Sequence, residues 1–139
     1  MKLTKNFYLH EFINPDILKW YGEVVSLGFI DNRIVDIAQF FRDRFGKPIV
    51  INGEFLGITF TESGLRKFNT QTGAIMSQHK FGRAVDLKWE GMDADEVRAD
   101  IINNYEKFRS KGLTTVEKDT DTWIHVDCRF TKDNLIRFI

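Results

Sequence analysis

The sequence predicts an α+β fold: a small, mainly antiparallel sheet with helices packed on one side and a loop-rich middle segment on the other. Two segments repeat apolar residues at helical spacing, two shorter segments alternate as strands do, and the stretch between them follows no sustained period. The chain has 139 residues and is 42% hydrophobic. This length and composition predict a single domain, residues 1–139, with a sizeable core.

Two helices are predicted in the first third of the chain. Asn14 and Pro15 indicate a helix start, because Asn is a preferred N-cap and Pro is favoured at the first helical position. A second helix is predicted over 32–45, where apolar residues recur every three or four positions: Ile34, Ile37, Ala38, Phe41 and Phe45. We expect Gly46 to end this helix.

The middle of the chain is predicted to be irregular. A short buried strand is expected over 48–52, ended by Gly53. The stretch 54–78 is rich in Gly, Ser, Thr and Asn, which indicates a loop. A loop of about 25 residues in a small domain is usually either functional or wrongly assigned.

The second half alternates between strands and a helix. Residues 83–89 have the alternation of a half-buried strand. Asp93, followed three residues later by Glu96, resembles a capping box and predicts a helix that continues to Gly112. The last strand is predicted over 122–128. Three apolar residues beyond it are expected to cover an edge of the core: Leu135, Phe138 and Ile139.

Composition and charge exclude several classes of protein. Twenty basic and twenty acidic residues give zero net charge, so no global field favours nucleic acid or an anionic membrane. The apolar runs are far shorter than the ~20 residues that span a bilayer, and the first ten residues lack the apolar region of a secretory signal. The lone Cys128 excludes internal disulfides and Cys-rich zinc clusters. We expect a cytoplasmically synthesised monomer that binds neither nucleic acid nor membrane.

Two of the three histidines lie in polar segments that suit a metal ion. His79 and Asp86 belong to the segment 77–87, and His125 belongs to the segment 121–127. Imidazole nitrogens and carboxylate oxygens bind zinc well, and a catalytic zinc usually has three protein ligands and an open fourth position. These three residues predict a zinc site on the side of the sheet away from the helices. The alternative is that each histidine is a hydrogen-bonded structural residue, which is how we interpret His10.

The pattern S-x-H-x-x-G-x-A-x-D over 77–86, followed by W-x-H over 123–125, resembles the M15 peptidases. These are zinc D,D-carboxypeptidases and L-alanyl-D-glutamate endopeptidases, including VanY-like enzymes and many phage endolysins. The segments 6–12, 46–52 and 62–66 also resemble parts of this family. Nearly the whole chain is therefore covered by the resemblance.

The resemblance implies a role for each matching residue. It implies three zinc ligands: His79, Asp86 and His125. Arg66 polarises the scissile carbonyl or holds the substrate, and Ser77 supports His79. Trp123 is expected to form a wall of the substrate site, and Asp127 is expected to orient an imidazole. The implied substrates are peptides of peptidoglycan, with endopeptidase and carboxypeptidase action both open.

The general base departs from the family pattern. Members usually have Glu or Asp three residues before the second histidine, but here that residue is Thr122, whose hydroxyl cannot act as a base near neutral pH. Asp121 is the nearest substitute, although a regular strand would place it about 13 Å from His125. We expect turn-prone residues to bend the chain there. Glu117 and Asp119 are the alternatives.

Three functions are consistent with this sequence. The first is a zinc peptidase that cuts peptidoglycan stem peptides, of phage or prophage type and acting on the cell wall after release. The second is a non-catalytic, zinc-stabilised binding module, as in the Hedgehog signalling domain, which resembles the same scaffold. The third is a structural module of a virion that uses the scaffold for docking. We favour the first, and the missing acid at Thr122 is the feature that a non-catalytic relative of such an enzyme would show.

Overall fold

The computed structural model describes residues 1–139 and confirms the α+β class. Its helices are α1 (Pro15–Leu27), α2 (Asn32–Phe45), α3 (Ala94–Asn103) and α4 (Tyr105–Ser110). Its strands are β1 (Gly53–Phe55), β2 (Ile58–Phe60), β3 (Ala84–Leu87), β4 (Thr115–Val116), β5 (Ile124–Asp127) and β6 (Arg137–Phe138). Two short 3₁₀ turns span Leu9–Phe12 and Gln78–Phe81. None of the helices combines the length and the apolar character needed to cross a membrane.

The main sheet has the strand order β3-β5-β4-β6 and two chemically different faces. β5 pairs antiparallel with both β3 and β4, whereas β6 runs parallel to β4. Residues directly opposite each other in a sheet share a face, and neighbours along a strand alternate between faces. One face is therefore polar: Asp86, Thr115, His125 and Asp127. The other face is apolar: Val85, Leu87, Val116, Ile124 and Val126.

The apolar face packs against the helices and forms the core. Helix α2 occupies the predicted range, capped by Asp31 at its start and by Gly46 in a left-handed conformation at its end. Its Phe41 is completely buried and packs edge-on against Phe108 of α4, with ring centres 5.3 Å apart. Burying one such side chain stabilises the fold by about 1.5–3 kcal/mol. The polar face lies on the opposite side of the sheet, away from this apolar core.

The region 48–60 differs from its prediction. The prediction of a strand over 48–52 is wrong, because this segment forms only an isolated β-bridge between Val50 and Lys88. The following stretch, predicted as loop, begins with the hairpin β1–β2. Its turn residues Leu56 and Gly57 have φ values of 49° and 80°, as a type I′ turn requires. Leucine rarely adopts this conformation, so the turn is not recognisable from the sequence.

In the second half of the chain, the observed helices and strands differ from the predicted ones mainly in length. The predicted helix from Asp93 to Gly112 divides at Asn104, whose φ and ψ of −130° and 30° are not helical. The strand predicted over 122–128 is shorter, because residues 121–123 form a bend before β5. The bend agrees with the turn-prone composition of the residues that lead into β5. Strands β4 and β6 have two residues each, too few for periodicity to reveal them.

Candidate metal centre

The turn that carries His79 is fixed at both ends. Ser77 caps its start by accepting a hydrogen bond from the His79 amide at 3.4 Å. Gly82 ends it with a φ of 66°, and a Cβ atom at this position would lie 1.9 Å from the carbonyl oxygen of Phe29. Any side chain there would clash with backbone. This close packing holds the almost completely buried His79 against the sheet.

Asp86 and His125 meet His79 on the polar face of the sheet. They are directly opposite each other in β3 and β5, and His125 Nδ1 lies 2.9 Å from Asp86 Oδ1. His79 Nε2 lies 3.1 Å from His125 Nδ1 and 3.2 Å from Asp86 Oδ1. The three atoms therefore form a nearly equilateral triangle. The three residues predicted from the sequence as metal ligands come together as one cluster.

The dimensions of this triangle fit a tetrahedral zinc ion. With zinc–ligand bonds of about 2.0–2.1 Å, tetrahedral geometry separates neighbouring ligand atoms by about 3.3–3.4 Å. The observed separations of 2.9–3.2 Å are only slightly shorter. Two imidazoles and one carboxylate also match the donor types of catalytic zinc sites. The chemistry and the spacing of the donor set are both suitable for zinc.

The outer hydrogen bonds aim nitrogen lone pairs into the cluster. His79 Nδ1 lies 2.9 Å from the Gly64 carbonyl oxygen, which only accepts hydrogen bonds, so the proton belongs on Nδ1 and the lone pair on Nε2. His125 Nε2 similarly faces the Asp127 carboxylate at 3.4 Å, which leaves its Nδ1 lone pair toward the cluster. Partners of this kind orient histidine ligands in metal sites.

The ionisation of the cluster favours a positive charge within it. Burial opposes ionisation of Asp86, but the close approach of His125 and His79 outweighs it and holds the pKa of that carboxyl well below its usual range. Burial lowers the pKa of His79. For His125, hydrogen bonds to Asp127 and Asp86 outweigh burial and raise its pKa to about 9. A bound metal ion would supply this charge in place of the His125 proton.

Asp127 is held in place by an arginine that the sequence analysis did not identify. Arg129 Nε lies 2.9 and 3.0 Å from the two oxygens of Asp127, which is fully buried. Burial opposes ionisation of Asp127, but hydrogen bonds from His125 and Arg129 hold its pKa below the ordinary value. The spacing His-x-Asp-x-Arg along one strand face is the signal that could have identified Arg129.

Arg66 contacts the second oxygen of Asp86. Its guanidinium donates to Asp86 Oδ2 at 3.1 Å and to the carbonyl oxygen of Glu62, and the side chain is nearly buried. The Glu62 carboxylate accepts hydrogen bonds from the Thr70 and Thr72 hydroxyls. The irregular segment 62–77 is thus tied together around Glu62, and it presents Arg66 to the cluster.

Two adjoining cavities open beside the cluster. The first, of about 450 Å³, is lined by the three candidate ligands together with Arg66, Ser77, Glu117, Trp123 and Arg129. The second, of about 620 Å³, lies along the hairpin β1–β2 and is more apolar. Arg66, Asp86 and Trp123 line both cavities. Trp123 thus lies next to the cluster, at the junction of the two cavities.

Lys88 is a second buried residue of this region that the sequence analysis did not identify. Its Nζ donates to the Ile51 carbonyl oxygen at 2.9 Å and to Ser63 Oγ at 2.8 Å. Burial lowers its pKa to about 8. Its position two residues after Asp86, on the same strand face, is the signal that places it beside the site. It fixes the strand to the neighbouring loop.

The three acidic residues before β5 that could act as a base differ in whether they line the cavity beside the cluster. Asp119 and Asp121 are exposed, and neither lines the two cavities, although the chain bends at 121–123. Glu117 is half-buried and lines the cavity beside the cluster. Of the three candidate bases, the structure brings only Glu117 together with the histidines.

Comparison with known proteins identifies the family of the chain. The family model described as Peptidase M15 matches residues 18–127, which include all three candidate ligands and Arg66. No curated protein and no solved structure matches the chain. The match confirms the resemblance predicted from the two histidine motifs.

Proposed function

Because the chain belongs to the peptidase M15 family, we propose that it is a zinc-dependent peptidase that hydrolyses peptide bonds in peptidoglycan stem peptides. Membership of the family implies a hydrolase that cuts peptides. The observation that supports the zinc site is the convergence of three donor atoms, 2.9–3.2 Å apart, beside an open cavity. The proposed ligands are His79, Asp86 and His125.

The residues around the cluster have complementary roles in this reaction. When bound, zinc supplies a Lewis acid that polarises a carbonyl and lowers the pKa of water toward about 7. Arg66 offers N–H donors to the negative charge that develops on the carbonyl oxygen, a role that its position between Asp86 and both cavities supports. Gly64 and Asp127 hold the two imidazole rings in the orientation that ligation needs.

The shape of the site supports a peptide substrate. The two cavities meet at Arg66, Asp86 and Trp123, so an extended chain can lie along both with its scissile bond near the cluster. A peptide advances about 3.3 Å per residue, so several residues fit along such a cleft. The stem peptides of peptidoglycan are the substrate class that the resemblance of the motifs implies.

The proposal is tested with the purified protein and purified peptidoglycan. We expect the zinc-loaded protein to release peptides, and mass spectrometry of the new ends will distinguish endopeptidase from carboxypeptidase action. A chelator should abolish the release, and added zinc should restore it. A folded, zinc-loaded protein that releases nothing would instead favour a binding or virion module.

A pair of histidine variants tests the metal site itself. His125→Ala should lose most of the bound zinc, because only three protein ligands share the binding energy. His10→Ala is the matched control, since His10 is exposed and lies outside both cavities. If His125→Ala binds as much zinc as the parent protein, the proposed ligand set is wrong.

A further inference from the structure

We propose that Glu117 is the general base of this peptidase, in place of the acid missing at Thr122. This inference rests on the proposed function. Glu117 is the first residue after β4. Strand β4 lies next to β5, which carries His125. The base would thus come from a neighbouring strand rather than from the segment that leads into His125.

The strand register places Glu117 beside His125. Thr115 pairs with Asp127 and Val116 with Val126, and the Glu117 amide continues this ladder by donating to the His125 carbonyl oxygen at 3.2 Å. Opposite residues of antiparallel strands share a face, with Cβ atoms about 4.5–5.5 Å apart. Since His125 is also opposite Asp86, the row Asp86, His125, Glu117 crosses three strands on the polar face.

The Glu117 backbone is fixed while its carboxylate is free. Its amide is bound to His125, and its carbonyl oxygen accepts a hydrogen bond from Arg98 Nε at 3.2 Å. Arg98 also donates to the Thr120 hydroxyl at 2.7 Å, which anchors the following residues. The carboxylate of Glu117 has no hydrogen-bond or ion-pair partner in the protein and lines the cavity beside the cluster. A fixed backbone with an unpaired carboxylate suits a base that must meet a water molecule.

The other acidic side chains near the site either have another role or partner or lie outside the cavities. Asp86 is a proposed zinc ligand, and Glu62 in the adjoining cavity is bound by two threonine hydroxyls. Asp119 and Asp121 are exposed and line neither cavity. A general base must lie within hydrogen-bond reach of the attacking water, directly or through one further water. Among the side chains that line the cavity, Glu117 supplies the remaining carboxylate that is available for this role.

The proposed step transfers one proton and conserves all atoms. A Glu117 carboxylate oxygen accepts a proton from water as the water oxygen bonds to the scissile carbonyl carbon. The C–N bond then breaks, with its electron pair leaving on nitrogen, and Glu117 returns the proton to that nitrogen. The immediate products are a carboxylic acid and an amine, and the Glu117 carboxylate is regenerated. The proton that remains on the new carboxylic acid then passes to the amine, which leaves a carboxylate and an ammonium group.

Four conservative variants test this assignment. Glu117→Gln should keep its fold and zinc content while kcat for peptide release falls roughly 10²–10⁴-fold, the range for loss of a general base, with KM little changed. Asp121→Asn and Asp119→Asn are the matched controls and should stay within twofold of the parent protein. Glu117→Asp, which keeps a carboxylate, should recover part of the lost rate.

A binding measurement tests the same role without turnover. A phosphinic analogue of the alanyl-glutamate bond carries a tetrahedral acidic oxygen where the attacking water would lie. We expect the zinc-loaded parent protein to take up about one proton per inhibitor bound, held by Glu117, as measured by calorimetry in buffers of different ionisation enthalpy. Glu117→Gln should bind the inhibitor without this uptake.

The outcomes separate this inference from the proposed function. Full activity of Glu117→Gln, or a large loss in Asp121→Asn alone, would overturn the role of Glu117 and leave the peptidase intact. Loss of zinc by Glu117→Gln would also overturn it, because the residue would then support the metal. If the parent protein neither cuts peptidoglycan nor binds the phosphinate, the proposed function itself fails, and the role of Glu117 with it.

Discussion

Asp127 is a fully buried carboxylate that stays ionised because its neighbours supply donors to both of its oxygens. Arg129 and His125 supply these donors on the polar face of the sheet. Such a carboxylate fixes the ring orientation of a histidine ligand and increases its basicity. We therefore expect Asp127 to affect the candidate metal site without being one of its ligands.

Asp127→Asn is expected to weaken zinc binding by about 10–100-fold, as is typical for loss of an orienting carboxylate. A neutral amide can still occupy the space, so we expect the fold to survive. Competition with a chromophoric chelator measures the affinity. Asp133→Asn, at an exposed position paired with Arg137, is the control and should leave zinc affinity unchanged. An equal affinity of Asp127→Asn and the parent protein would contradict the role.

Arg66→Ala is expected to reduce peptide release by roughly 10²–10³-fold, the effect of removing one donor to an oxyanion. Zinc content should be retained, because the three proposed ligands remain. Steady-state kinetics and metal analysis on the same sample test both statements. Arg137→Ala, at an exposed position that lines neither cavity, is the control. An unchanged rate would leave Arg66 with a structural role only.

At the scale of elements, helices α2 and α3 are joined by one well-formed ion pair. Arg44 donates from two guanidinium nitrogens to the two oxygens of Asp100, and its guanidinium also packs over the Phe108 ring at 5.3 Å. The hydrogen bonds from Arg44 hold the pKa of the Asp100 carboxyl below its ordinary value. Both side chains are about one-quarter exposed, so solvent screens the pair only in part.

Asp100→Asn should lower the free energy of unfolding by about 1 kcal/mol at neutral pH. Because the pKa of Asp100 is lower in the folded state, its contribution is complete above the unfolded carboxyl pKa of about 4 and disappears as pH falls through the folded value. The difference between parent and variant should therefore shrink in acid. Urea unfolding at several pH values measures it. A difference that is constant with pH would contradict the charge-based explanation.

The sequence predicts the helices better than the strands for a physical reason. Helix α2 extends over four turns, so its apolar period and its Asp31 and Gly46 caps reinforce one another. β4 has two residues and is formed by pairing with β5 and β6, which are distant in sequence. The β1–β2 hairpin depends on a leucine with positive φ. Such features arise from tertiary contacts and leave little local signal.

At the scale of the whole molecule, the candidate site is only partly predictable from the sequence. The three proposed ligands, Arg66 and Trp123 are recognisable from their motifs, and the structure brings them together. The proximity of Glu117 to His125 cannot be recognised from the sequence, because it depends on the pairing of β4 with β5. The sequence favoured Asp121 for its closeness along the chain, whereas position across the sheet favours Glu117.

The reactivity of the Cys128 thiol can be used to measure global unfolding of the protein. Its side chain is fully buried at the end of β5, and burial raises its pKa to about 12. We expect a thiol reagent to leave the native protein unlabelled at pH 7 and to label one thiol in denaturant. At low denaturant, the labelling rate should follow the global unfolding equilibrium. Rapid labelling of the native protein would show that this part of the core opens locally.

The direct opposition of Asp86 and His125 also affects the fidelity of folding. The two residues are 39 positions apart in sequence, so their strands must find each other across a long intervening segment. A shift of β5 by one residue would turn His125 into the core and Ile124 out of it. A misaligned sheet therefore cannot assemble the three donor atoms. A metal ion that binds only the correctly paired sheet would therefore stabilise the native register relative to misaligned registers.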